Sequence, residues 1–268
     1  MMKLLFLGDV VGKGGREAVK QLMPELRRRY NAQFAVVNGE NSAAGAGITG
    51  GCARELAAVA EVITSGDHVW DQKGFEQEIA MFPNVLRPAN LSKLQPGKGW
   101  GVFQNPAGGE VAVINLLGKV FMRESAYCPF ETVERILNDE LPKHVRTILV
   151  DFHAEATSEK IAMAHFLDGR VTAVFGTHTH VRTADARVLP GGTAALSDAG
   201  MCGADVSVLG REVESVLKKF RSGMPVRLPV VEKGNIRVDG AVVTYDPATG
   251  RAAAIEGFSE LVAVGNTI

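Results

Sequence analysis

Apolar and polar positions follow two periods along the first two thirds of the chain. Short apolar runs at 4–7, 34–37, 62–65, 111–116, 147–150 and 171–175 have the length and β-branched character of buried strands. Stretches with helical spacing lie among them, at about 15–30, 52–60, 132–141 and 158–167. Strand and helix in alternation predict a largely parallel sheet with helices packed outside it. The last third changes character. There Pro190-Gly191-Gly192, Gly234-Asn235 and Asp239-Gly240 punctuate β-rich runs such as 236–238 and 241–245. These turn signals predict antiparallel strands that complete a second sheet.

The chemistry sits where the apolar runs stop. Run 4–7 leads into Gly8-Asp9, run 34–37 into Asn38-Gly39-Glu40-Asn41, and run 62–65 into Gly66-Asp67-His68. Run 147–150 ends in Asp151-Phe152-His153, and run 171–175 in Gly176-Thr177-His178-Thr179-His180. Ligands of open α/β sheets bind at the carboxyl ends of the strands. Carboxylates and neutral imidazoles there suit borderline divalent metals such as zinc, manganese and iron. So many donors overfill one ion, whereas two ions sharing a carboxylate, about 3.5–4 Å apart, would use them all. Three carboxylates gathered without cations would also repel one another. The pattern points to a dinuclear centre.

Taken singly, each donor has a plainer reading. Asp9 fits a turn or helix cap, Asn41 a turn residue, and His153 a core histidine bonded to a backbone carbonyl. Those readings weaken when all must hold at the same end of one sheet. His144 and His165 lack this placement and read as structural. Trp70 and Phe152 flank the site, either as packing residues or as stacking partners for a base.

Composition narrows the picture further. At 268 residues the chain can bury a sizeable core, and no repeat, linker or composition shift divides it, so residues 1–268 read as one domain. A net charge of −1 argues against a general nucleic-acid binder but leaves room for a small anionic substrate. Arg27-Arg28-Arg29 falls near the end of the first predicted helix, where cations favour the dipole. The apolar start of the chain is too short for a signal peptide, and no stretch approaches the roughly 18 residues that span a bilayer. Cys52, Cys128 and Cys202 lack CxxC spacing, which suits a reducing cytoplasm rather than a disulfide framework or a cysteine zinc site. A Gly-rich loop through Gly45, Gly47, Gly50 and Gly51 either shapes the pocket or closes over it.

The ordered motifs Gly8-Asp9, Gly39-Glu40-Asn41, Gly66-Asp67-His68, Asp151-Phe152-His153 and Gly176-Thr177-His178-Thr179-His180 resemble those of the calcineurin-like metallophosphoesterases. The likeness is closer to their YmdB-like bacterial branch, which the stretches from Asp151 to Lys160 and from Leu189 to Ala194 also match. The resemblance implies a four-layer αββα fold, two mixed sheets face to face with helices outside. Three departures from the wider pattern stand out. Asp-x-His at the first strand is here Asp9-Val10-Val11, Gly-Asp-x-x-Asp becomes Gly39-Glu40-Asn41, and the branch's Gly-Asn-His is Gly66-Asp67-His68. Aspartate at that last position still offers an oxygen ligand and adds a negative charge.

Carried onto matching positions, the resemblance implies that Asp9, Glu40, Asn41 and His180 hold one divalent ion. Glu40, Asp67, His153 and His178 would hold the other, with Glu40 bridging. Iron or manganese fits first, and zinc is admissible. A bridging hydroxide would attack phosphorus in line, and His68 would protonate the leaving oxygen as general acid. The implied activity is a metal-dependent phosphodiesterase of cyclic nucleotides, above all 2′,3′-cyclic ones. The expected partner is that small phosphoester, with no stable nucleic-acid or membrane contact and with a homo-oligomer left open. A phosphomonoesterase or protein phosphatase would use the same centre, and a regulatory protein that senses a nucleotide without turnover would retain the metal site.

Overall fold

The computed structural model describes residues 1–265. Its strands fall into two sheets. The first holds β1 (Met2–Leu7), β2 (Asp9–Val10), β3 (Phe34–Asn38), β4 (Val62–Thr64), β11 (Met201–Ala204), β12 (Gly234–Tyr245) and β13 (Ala252–Val264), ordered β2-β11-β12-β1-β3-β4 with β13 pairing along β12. The second is ordered β5-β6-β7-β8-β10-β9, from β5 (Trp100–Gln104), β6 (Glu110–Leu117), β7 (Thr147–His153), β8 (Ala173–Thr177), β9 (Arg187–Val188) and β10 (Ala194–Leu196). Both are mixed. The parallel trios β1-β3-β4 and β6-β7-β8 are flanked by antiparallel neighbours such as β12 and β5.

Strand alternation explains the layering, because successive side chains point to opposite faces. Leu4 and Phe6 of β1 and Phe34 and Val36 of β3 face Val111, Val113, Leu149 and Phe175 of the other sheet. Phe6 and Phe175 stack across this interface with centroids 4.3 Å apart. The intervening Leu5, Leu7, Ala35 and Val37 pack outward against Val19, Leu22 and Leu26 of α1 (Gly12–Tyr30) and Leu56 of α2 (Gly50–Ala57). A short helix α3 (Phe75–Glu78) adds Phe75 to this layer. On the far side, Ile114, Leu116, Val150 and Phe152 meet Val133 of α4 (Pro129–Arg135) and Met163 of α5 (Thr157–Phe166). Three apolar layers between four tiers of structure make the αββα sandwich. No helix among the described residues is long and apolar enough to cross a membrane.

Four sequence expectations need correction. The parallel-type strands do not form one sheet; they divide into two trios, since hydrophobic period says nothing about which sheet a buried strand joins. The late β-rich runs complete the first sheet, not a second. Asp239-Gly240 is no turn: it lies inside the twelve-residue strand β12, opposite Ser259 and Phe258 of β13. Glycine is needed there for close approach, since a Cβ at Gly240 would lie 2.4 Å from the Phe6 carbonyl oxygen of β1. Finally, the helix read over 132–141 is α4 followed by a π-helical turn, Ile136–Glu140. The hairpin around Pro190-Gly191-Gly192 does form, with the Leu189 N–H donating to the Thr193 carbonyl at 2.8 Å.

Candidate metal centre

The carboxyl ends of the two parallel trios meet at one spot. Asp9 follows β1, Glu40 and Asn41 follow β3, Asp67 and His68 follow β4, His153 ends β7, and His178 and His180 follow β8. One ligand atom each from Glu40, Asp67, His153 and His178 lies within 4.8 Å of all the others. His153 Nε2 is 3.0 Å from Glu40 Oε1, 3.2 Å from Asp67 Oδ1 and 3.0 Å from His178 Nδ1. Beside this group His180 Nε2 lies 3.1 Å from Asn41 Oδ1 and 3.9 Å from Asp9 Oδ1. All seven sequence-derived donors are thus brought together, as two adjoining groups.

Partners behind the donors fix their orientation. His153 Nδ1 is 2.9 Å from Thr177 Oγ1, whose hydroxyl donates to Asp151 Oδ1 at 2.7 Å. Asp151 sits between the sheets and also accepts from Thr64 Oγ1 at 2.5 Å and Asn38 Nδ2 at 2.9 Å. Burial pushes its carboxyl up to about 6, although the His153 charge and these donors oppose the shift. With its carboxylate satisfied by three strands, β7 runs on through His153 instead of stopping at 150 as its sequence suggests. His178 Nε2 meets Glu155 Oε2 at 3.0 Å, and His180 Nδ1 faces the Leu209 carbonyl at 3.4 Å. Orienting partners of this kind select which imidazole nitrogen is free to ligate.

The loop after β8 is held in a conformation that side chains disfavour. His178 and His180 have φ of 100° and 64°, which costs on the order of 1–3 kcal/mol each. Asp198 secures the residue between them: its Oδ2 accepts from Thr179 N at 3.1 Å, Thr179 Oγ1 at 2.7 Å and Lys160 Nζ at 2.7 Å. Lys160 and Asp198 are both buried. Lys160→Met leaves that carboxylate without a counter-charge, so it is expected to cost about 3–5 kcal/mol. Thermal unfolding would then fall by roughly 6–20 °C; a loss below about 1 kcal/mol would show that the ion pair does not hold the loop.

The electrostatics are those of a cation site. Burial works to raise the Asp67 carboxyl, but hydrogen bonds and charge from His153 and His178 hold it well below the usual carboxylate range. His153 is fully buried, which lowers imidazole basicity, yet Glu40 and Asp67 draw it well above its ordinary value. Asp9 Oδ1 is buried and has no hydrogen-bond partner among the described residues. A buried carboxylate oxygen left unpaired is costly. Clustered carboxylates, converging imidazole nitrogens and an orphaned oxygen form a donor set that fits divalent cations.

His68 stands apart from the donors. Its Nδ1 lies 2.8 Å from Asp71 Oδ2, and its ring lines a cavity with Asp67 and His178. Burial lowers its basicity, but the charges of Glu40, Asp67 and Asp71 prevail and raise it. Trp70 and Phe152 turn out to be packing residues. Trp70 donates to Gln95 and packs near Phe75, while Phe152 points into the helix-side core. The Gly-rich loop is pinned by Gln72 on Ala46 and by Arg211 on Gly45, so it is scaffold. Sequence reading missed Asp151, Glu155, Lys160 and Asp198 as positioning groups; a buried-strand aspartate in 147–153 was the one available signal.

Comparison with known proteins gives the family. A model of the YmdB-like protein family matches residues 5–258. The 2′,3′-cyclic-nucleotide 2′-phosphodiesterase of Bacillus subtilis is 43% identical over 256 residues, covering 95% of this chain and 96% of that one. The crystal structure of a novel phosphatase from Mycoplasma pneumoniae superposes with a TM-score of 0.88 at 32% identity, covering 98% of this chain and 95% of that one. The calcineurin-like phosphoesterase YfkN of Bacillus subtilis shares the fold, with a TM-score of 0.56 at 13% identity over 97% and 90% of the two chains. Sequence kinship across nearly the whole length and the shared sandwich agree: the chain belongs to the YmdB-like family, phosphoester hydrolases built on the calcineurin-like fold.

Proposed function

We propose that this hydrolase is a metal-dependent phosphodiesterase of cyclic nucleotides, with 2′,3′-cyclic nucleotides as its substrate class. The observation that carries the reading is the convergence of four candidate ligands, Glu40, Asp67, His153 and His178, with Asp9, Asn41 and His180 beside them, next to a cavity lined by His68. The named activity of the Bacillus relative supports the substrate class. Asp9, Glu40, Asn41 and His180 would hold one divalent ion, and Glu40, Asp67, His153 and His178 the second; iron or manganese suits the mixed donors, with zinc admissible. When bound, such ions supply Lewis acidity toward phosphoryl oxygens and acidify water to serve as nucleophile near neutral pH.

The chain's own groups do the rest. Asp71 anchors His68 at Nδ1, which leaves Nε2 to carry the proton toward the leaving ribose oxygen. Asp71, which is outside the ligand set, favours the protonated imidazole that this role requires. Burial of Asp9, Glu40 and His153 keeps the donors rigid between the two sheets.

His68→Ala is therefore expected to slow hydrolysis of 2′,3′-cyclic AMP by about 10²–10⁴-fold. Bis(p-nitrophenyl) phosphate, whose leaving group needs no proton, should change by less than about tenfold. Equal rates for wild type and variant on the cyclic nucleotide would remove the acid role. A phosphomonoesterase reading is favoured by the phosphatase named for the Mycoplasma structure. Rates on cyclic diesters, phosphopeptides and simple monoesters under one metal separate the two, and the account expects the cyclic diesters to dominate.

A further inference from the structure

The segment between β6 and α4 lines a cavity together with Asp67, His68 and His178. Its first residues are tightly held: Gly118 N–H donates to the His153 carbonyl at 2.8 Å. The buried Glu159 carboxylate of α5 accepts from Lys119 N at 3.0 Å and Val120 N at 3.2 Å. At the other end Tyr127 is tied to Asn90 through N–H to carbonyl at 2.8 Å and amide to carbonyl at 3.0 Å. Met122 packs down onto the core. Between these anchors Phe121 stands 85% exposed with φ of 63°.

Nothing in the fold itself rewards that placement. A phenyl ring in water gains no burial, and a left-handed backbone at a bulky residue is disfavoured. Outliers of this kind cluster at ligand contacts. Phe121, Met122 and Arg123 form one wall of a cavity of about 280 Å³ whose other wall is Asp67, His68 and His178. An aromatic face and a guanidinium thus share a cavity with the metal-ligand cluster and the acid. The first offers a stacking surface for a planar ring, the second a fork for a phosphate oxygen.

We infer that Phe121 stacks on the nucleobase of the substrate and Arg123 pairs with its phosphate, so that this loop makes the centre prefer nucleotides over baseless phosphoesters. The inference rests on the phosphodiesterase reading above and names the part of the substrate that the metal cluster cannot read.

The test compares 2′,3′-cyclic AMP with the 2′,3′-cyclic phosphate of 1-O-methylribose, which keeps the ester and lacks the base. Phe121→Ala should raise KM for the nucleotide about tenfold, the order of one base–aromatic stack, with kcat within about twofold. The baseless ester should be unaffected, and Phe121→Trp should restore the nucleotide KM. Arg123→Ala should raise KM about tenfold on both substrates, as loss of one charged hydrogen bond does. An unchanged nucleotide KM in Phe121→Ala, an equal loss on both esters, or a change only in oligomeric state would overturn the stacking role. The wild-type rates decide the underlying reading separately: an enzyme inert on both cyclic esters but active on monoesters overturns it, and this inference with it.

Discussion

Gly66→Ala is expected to abolish phosphodiester hydrolysis, by at least about 10²-fold, while the chain still folds. A Cβ at this position would lie 1.9 Å from Glu40 Oε2 and 2.3 and 2.4 Å from Cδ2 and Nε2 of His153. Neither neighbour has room to retreat, since His153 is sealed in and tied to Thr177, and Glu40 is 1% exposed. The added methyl must displace two ligand atoms at once. Overpacking of this kind costs about 1–3 kcal/mol in stability, less than a typical domain holds. Steady-state kinetics together with a metal-binding isotherm check it. Wild-type activity in this variant would mean that the facing atoms of Glu40 and His153 are not part of the reacting site.

Glu40→Gln should have an effect of similar size on hydrolysis, with its signature in the response to metal. Glu40 contributes one oxygen toward His153 and the other toward the His68 backbone N–H, at 3.0 and 3.3 Å. Removing its charge relieves repulsion with Asp67 and Asp9 but also takes a counter-charge from the buried His153 imidazole, so the diagnostic quantity is the rise in unfolding temperature on adding metal. Metal at a hundred times its dissociation constant stabilises a folded protein by about 2.7 kcal/mol, which corresponds to roughly 5–10 °C for a chain of this length. The glutamine variant should lose most of that rise. Hydrolysis should fall by more than the ~10–100-fold typical of residues that only orient a ligand. A variant that keeps both the thermal rise and the rate would show that Glu40 is not shared between ions.

The residues that converge were legible because each breaks the grain of its surroundings. Asp9, Glu40 and Asp67 are acids directly after apolar runs, and His153, His178 and His180 close two further runs. A sheet gathers strand ends at one edge, so spacing along the chain did not matter. Helices α1, α2 and α5 were legible from their apolar spacing for the same reason.

What escaped the sequence is what depends on distant partners. Asp151 reads as a strand terminator, and only the fold supplies Asn38, which lies 113 residues away, to satisfy it. Lys160 and Asp198 look like ordinary surface charges until packing buries them together. Asp239-Gly240 carries a turn signature that the close passage of β1 overrides. Phe121 sits in a stretch with no period at all, where an exposed aromatic cannot be told from a buried one. Allocation of strands between the two sheets is likewise invisible to local pattern.

Anomalous diffraction from crystals soaked with manganese tests the dinuclear centre most directly. Two peaks are predicted, one among Glu40, Asp67, His153 and His178 and the other among Asp9, Asn41 and His180, both within ligand distance of Glu40. One peak alone, or peaks elsewhere in the molecule, would contradict the paired-ion account.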